Sequence, residues 1–180
     1  TAEVVIENPS VARSARAGHF VMARFSPDCP RIPFTIVDAS PEEGTFTIII
    51  HKGARLASLI DTLHEDYEIR DVLGPLGQAF EIRNYGTVVC CGDGVGFVPI
   101  IPVIRALKEA GNRVVTILSE FTSQTSCLRD NVEQYCDELL HSSDEATTLE
   151  LIGRVLSEEK VDLVVMTGPT TMMKSIAECT

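Results

Sequence analysis

From Gly86 to the end of the chain, short apolar runs alternate with amphipathic stretches, and this alternation constrains the fold more than any other feature. "GTVVCC" (86–91) reads as a strand and leads into a helix over 99–110, closed by Gly111 just past its end. "RVVTILSE" (113–120) is a second strand, followed by a helix over 126–136 and a short strand "DELLHS" (137–142). A helix over 147–159, the strand "VDLVVMTG" (161–168) and a helix from Thr170 onward complete the series. Strand and helix at this spacing predict βαβ units, hence a parallel sheet covered on both faces. The strands are apolar almost throughout, as strands buried on both faces must be.

The first half has a different period. "FVMARF" (20–25), "FTIVDA" (34–39) and "TFTIII" (45–50) are β-branched and aromatic runs separated by Pro, Asp and Gly. Between the last two, Pro41 presets φ and Gly44 supplies left-handed geometry for a turn. "ARLASLIDTL" (54–63) carries a helical stripe at Leu56, Leu59, Ile60 and Leu63, and "YEIRDVLGPLG" (67–77) reads as a strand ending in a Gly-Pro corner. The change of period places a domain boundary near Asn84-Tyr85-Gly86. The expected architecture is two domains, an antiparallel β domain (1–84) and an α/β parallel-sheet nucleotide-binding domain (85–180). Proteins built this way commonly hold a cofactor between their domains.

Bulk chemistry narrows the partners. A hydrophobic fraction of 44% is enough for a core without disulfides or metal. The net charge of -11 repels phosphate backbones and anionic lipid, so no nucleic-acid or membrane-surface partner is expected. No apolar run approaches the ~18 residues of a transmembrane helix, and no signal peptide is visible. The six cysteines include no C-x-x-C pair, so no metal site is assigned; scattered thiols fit a reducing, cytoplasmic setting. The vicinal Cys90-Cys91 reads as strand filler. His19, His51, His64 and His141 are scattered, and none is given a catalytic role.

The sharpest local signal is "CCGDGVGFVP" (90–99). Glycine lets backbone approach a ligand closely and reach positive φ. Between a strand and a helix, such a loop offers amide N–H groups that suit a pyrophosphate. The dinucleotide fingerprint wants G-x-G-x-x-G, but Pro99 stands where the third glycine belongs. Pro suits a first helical turn. Read alone, the turn serves equally well as a structural corner or as a nucleotide site.

Several motifs together carry a resemblance. Gly94-Val95-Gly96-Phe97-Val98-Pro99 is similar to the G-x-G-x-x-P that opens the nicotinamide-nucleotide domain of the ferredoxin–NADP reductase superfamily. "RIPFTI" (31–36) resembles the R-x-P-x-[ST]-I flavin motif of one branch of that superfamily. That branch holds the dihydroorotate dehydrogenase electron-transfer subunits and the small subunit of NADH-dependent ferredoxin:NADP oxidoreductase, also called sulfide dehydrogenase. "AGHFVM" (17–22), "DVLGPLG" (71–77) and "TGPTTMMKSIAECT" (167–180) match further segments of the branch, in order along the chain.

The resemblance implies an FAD-binding antiparallel β-barrel followed by an NAD(P)-binding domain. For FAD it implies Arg31 on a phosphate, Pro33 and Phe34 against the ring, and Thr35 reaching the flavin edge. Gly53, Arg55 and Ser58 stand where the family reads G-K-T-T, its pyrophosphate loop. For NAD(P) it implies Gly92, Gly94, Gly96 and Pro99 on one loop and Gly168, Pro169 and Met172 on another. Glu120, at the end of the second α/β strand, can accept from a ribose diol and would oppose a 2′-phosphate, which leans toward NAD over NADP. Each also has a plain structural use: a surface Arg, a β-branched strand residue, a core Met.

The resemblance further implies a strand ahead of "EVVIENPS" and a C-terminal cysteine cluster holding a [2Fe–2S] centre. This sequence carries neither, and Cys179 alone cannot supply the cluster. The expected activity is electron transfer between NAD(P)H and FAD, and on to an iron–sulfur centre or partner. Implied partners are a larger, glutamate synthase-like catalytic subunit and ferredoxin or another carrier. The alternatives are the dihydroorotate dehydrogenase electron-transfer subunit and a non-catalytic nucleotide-binding or docking module that has lost FAD.

Overall fold

The computed structural model describes residues 2–51, 60–61, 63–119 and 132–180. Most of the expected helices over 54–63 and 126–136 lies outside the described residues, as do Gly53, Arg55, Ser58 and Glu120. The chain divides into two compact units, Thr1–Phe80 and Glu81–Thr180.

The first unit is built from two antiparallel sheets. β1 (Ala2–Glu7) pairs along its whole length with β5 (Thr45–Ile50), and β4 (Asp38–Ser40) closes that sheet on the other side of β5. The second sheet has the order β3-β2-β6, from Ile32–Thr35, Phe20–Arg24 and Asp71–Leu76. The inner faces share one core: Ile6, Val21, Ala23, Phe25, Phe34, Phe46, Ile48 and Ile50 are all buried in it. Helix α1 (Pro9–Ser14) adds Val11 and starts where it does because the Asn8 side chain accepts from the Val11 N–H at 3.2 Å, with Pro9 in the first turn. Gly44 sits at φ 71°, the left-handed turn its sequence context implies.

The single strand expected over 34–39 is two strands in different sheets. The Ile36 N–H donates to His19 C=O beside β2, whereas the next N–H, of Val37, donates to Thr47 C=O on β5. The chain crosses between sheets in one residue, at two buried apolar positions. The expected strand over 67–77 is shorter, Asp71–Leu76.

The second unit is one parallel sheet of order β10-β7-β8-β9, from Leu163–Thr167, Thr87–Asp93, Arg113–Ser119 and Glu138–Ser142. Helix α2 (Ile101–Glu109) joins β7 to β8, α3 (Glu145–Glu158) joins β9 to β10, and α4 (Thr170–Cys179) follows β10. Val89, Cys91, Val115 and Ile117 pack with Ile152 and Val155 of α3 and with Met172 and Ile176 of α4. Right-handed crossovers running in opposite directions along the sheet put α2 on the other face. This explains why β7 and β8, in the middle, are buried on both sides.

Two local features differ from the sequence reading. A 3-10 segment, Gly94–Ile100, precedes α2, so Pro99 lies inside that segment and Pro102 occupies the first turn of the α-helix. Pro99 and Pro102 lack N–H groups three residues apart, and the Ile101 N–H bonds to Val98 C=O in the tighter pattern. The 81–86 segment belongs with the second unit because buried Asn112 ties it there. Asn112 Oδ1 accepts from the N–H groups of Tyr85 (2.7 Å) and Gly86 (3.2 Å), and its Nδ2 donates to Arg83 C=O (2.9 Å) and Leu107 C=O (2.7 Å).

Candidate functional site

The strand order of the second unit locates its crevice. The chain builds outward from β7 to β8 and β9, then returns to place β10 on the opposite side of β7. Ligands of open α/β sheets bind outside the carboxyl ends of the strands where order reverses in this way. Here that point is flanked by the end of β7, which carries Gly92, by the segment after it, with Gly94 and Gly96, and by the loop after β10, with Gly168 and Pro169.

These glycines are required for different reasons. A Cβ on Gly92 would lie 2.9 Å from the Phe97 ring and 3.0 Å from Thr167 C=O, so close packing alone demands glycine. Gly94 has φ 48° and Gly168 φ 155°, conformations that side chains oppose. Gly96 has neither constraint: the nearest atom to a Cβ there is Gly168 Cα at 3.7 Å, ordinary contact, and Gly96 itself is exposed. Its carbonyl accepts from the Thr167 hydroxyl, which pins the two loops together. Pro169 caps α4 with an extended ψ of 141°. Met172 is buried in the core of the unit, its sulfur 3.5 Å from where a Gly168 Cβ would be. Met172 therefore supports the loop from beneath.

One residue at this crevice escaped the sequence reading. Asp93 ends β7 between Gly92 and Gly94, and its Cβ lies 3.8 Å from the Cβ position of Gly168. Its Oδ1 is buried without a hydrogen-bond partner, and burial raises its carboxyl above the usual range. On the neighbouring strand its register partner is Ser119, whose hydroxyl is likewise buried and unpartnered. The signal in the sequence is a lone acid in a glycine-rich turn.

The adjacent thiols are inert. Cys90 and Cys91 are fully buried in β7, and burial pushes Cys91 up to about 12 and Cys90 higher still.

In the first unit, strand alternation sorts the "RIPFTI" residues. Ile32, Phe34 and Ile36 turn inward; Arg31, Pro33 and Thr35 turn outward. Phe34, expected against the flavin ring, is in the core instead, edge-on to Phe25 at 5.8 Å. Pro33 and Thr35 lie opposite Met22 and Phe20 of β2, which are half-exposed on the same outward face. Arg31 pairs with Asp71 at the start of β6, Nε to Oδ2 at 2.8 Å, with half of the Arg side chain exposed. A guanidinium, a hydroxyl and a flat apolar strip on one sheet face are a donor set that fits a flavin nucleotide. An exposed ion pair is worth little, so Arg31 can exchange Asp71 for a phosphate at small cost.

No protein-family model matches the chain. Among curated proteins it is 36% identical over 174 residues to the dihydroorotate dehydrogenase B (NAD(+)), electron transfer subunit homolog of Thermotoga maritima, a match spanning 94% of this chain and 62% of that protein. Among solved structures it matches a chain of the NADH-dependent reduced ferredoxin-NADP oxidoreductase, described for flavin-based electron bifurcation. That match has 36% identity and TM-score 0.82, over 96% of this chain and 64% of the other. The chain is a homologue of the dihydroorotate dehydrogenase B electron-transfer subunits, with a ferredoxin reductase-type fold. Another such subunit, from Shouchella clausii, is 28% identical over 184 residues, covering 97% of this chain and 70% of that one. Phthalate dioxygenase reductase shares the fold at 17% identity and TM-score 0.71. The chain thus spans under two thirds of the first of these relatives. Among the described residues no helix is long and apolar enough to cross a membrane.

Proposed function

We propose that this chain is a flavoprotein electron-transfer module that takes electrons from NADH into FAD and passes them to an iron–sulfur centre or a larger catalytic subunit. The observation that carries the reading is Gly96. It is an exposed glycine at the strand-order switch point, required neither by its backbone conformation nor by packing. Clearance for a ligand gives it a purpose.

The division of labour follows from the two units. The loops around Gly96 and Gly168 bind the nucleotide, with Thr167 holding them in register and Met172 stiffening them from below. The outward face of β3 and β2 binds FAD: Arg31 holds phosphate, Pro33 and Met22 lie under flat rings, and Thr35 offers a hydroxyl to the ring edge. Bound FAD would supply the conversion between a two-electron hydride and single-electron transfer. Glu120, directly after the last residue of β8, would accept from a ribose diol and repel a 2′-phosphate, favouring NADH over NADPH. The NAD(+) and NADH in the names of the relatives favour the same nucleotide. A larger partner subunit, with a glutamate synthase-like flavoprotein as its form, accords with relatives that are themselves named subunits.

Arg31→Ala tests the flavin face. FAD retention through gel filtration is expected to fall at least about 10-fold, as loss of a charge-assisted phosphate contact implies. The unfolding midpoint should hardly move, because the pair with Asp71 is exposed. Undiminished FAD retention would remove the flavin from this face.

A further inference from the structure

We propose that Asp93 is a nucleotide-binding residue whose carboxylate accepts a hydrogen bond from an uncharged donor of the dinucleotide, a ribose hydroxyl or the carboxamide N–H. The proposal rests on the nucleotide site described above and adds what part of the nucleotide lies over β7 and β10. It is the neutral nicotinamide–ribose end, with the pyrophosphate displaced from the glycine turn.

Four observations converge. Oδ1 of Asp93 is sealed from solvent without a partner, and a buried acceptor left unmatched is costly. Among the described residues no cation pairs with it, so the missing partner must be supplied from outside. Its neighbourhood is cleared: nothing lies within 4 Å of a Cβ placed on Gly94, and Gly96 and Gly168 present backbone only. Ser119, beside it in register, adds a second unpartnered polar atom at the same end of the sheet. A pyrophosphate is the wrong occupant, since it has no donors and its charge opposes a carboxylate. The segment that follows is 3-10, with no α-helical N-terminus directed at an anion.

The test is NADH binding to the full chain by titration calorimetry at neutral pH, with wild type, Asp93→Ala, Asp93→Asn and Gly96→Val. Asp93→Ala is expected to weaken NADH binding about 10-fold or more, and Asp93→Asn less, because the amide keeps one acceptor. Neither should lower the unfolding temperature, since the orphaned Oδ1 holds no bond in the folded chain. The 3-acetylpyridine analogue of NADH lacks the carboxamide N–H and identifies the donor. If wild type and Asp93→Ala bind the analogue equally, the donor is the carboxamide; if the loss persists, it is a ribose hydroxyl. Inorganic pyrophosphate is the control occupant. Asp93→Ala binding NADH as tightly as wild type, or gaining affinity for pyrophosphate, overturns the proposal. If Gly96→Val still abolishes NADH binding in that case, the nucleotide site stands and only the role of Asp93 falls. If wild type binds neither NADH nor NADPH, the site itself is wrong.

Discussion

Gly92, at the end of β7, and Gly96, in the 3-10 segment that follows, stand four residues apart and have opposite reasons for being glycine. A methyl on Gly92 must push the Phe97 ring and meets the Thr167 carbonyl, neither of which has room to yield, whereas one on Gly96 makes ordinary contact. Gly92→Ala should therefore lower unfolding free energy by about 1–3 kcal/mol, the usual cost of overpacking. Gly96→Ala should change it by less than about 0.5 kcal/mol. Chemical denaturation of the two variants checks the contrast; equal destabilisation would mean that Gly96 is structural. At this scale the sequence was only partly legible. It marked every glycine of the loop, but could not tell a packing glycine from a clearance glycine. Nor could it tell that the side chains of Phe34 and Met172 are buried in the cores of their units, because a motif names positions without saying which way a side chain points.

Elements were more legible than residues. The alternation after Gly86 gave the parallel sheet correctly, since doubly buried strands have no choice but to be apolar. Two boundaries were hidden. The crossing at Ile36-Val37 carries no turn residue: its mark is two consecutive buried apolar residues, which a continuous apolar strand would show equally well, while the hydrogen-bond partner changes. The 3-10 segment ahead of α2 depends on the pairing of Pro99 with Pro102, and the motif singles out only Pro99. A third element-scale device, the clamp of Asn112 on 83–86, is invisible in sequence because its partners are backbone groups far along the chain. Asn112→Ala would strand the N–H groups of Tyr85 and Gly86 and take a donor from Arg83 C=O, while Leu107 C=O keeps the backbone N–H of residue 112. It should cost roughly 2–3 kcal/mol and release the amides of Tyr85 and Gly86 to faster hydrogen exchange. Unchanged protection at those two amides would show that the clamp is dispensable.

For the whole molecule, the proposed function assigns flavin to a sheet face of the first unit and nicotinamide nucleotide to the crevice of the second. The expectation of an antiparallel unit followed by a parallel one was readable from periodicity alone. The cofactors proposed for each unit rest on motifs, and on relatives that extend beyond this chain. The central claim is that one chain binds both cofactors and passes electrons between them. The most direct measurement is the visible absorbance of the purified chain with FAD, after removal of unbound flavin, before and after anaerobic addition of NADH. The expected result is a retained flavin band that NADH bleaches. A retained band that NADH leaves unchanged would contradict the central claim.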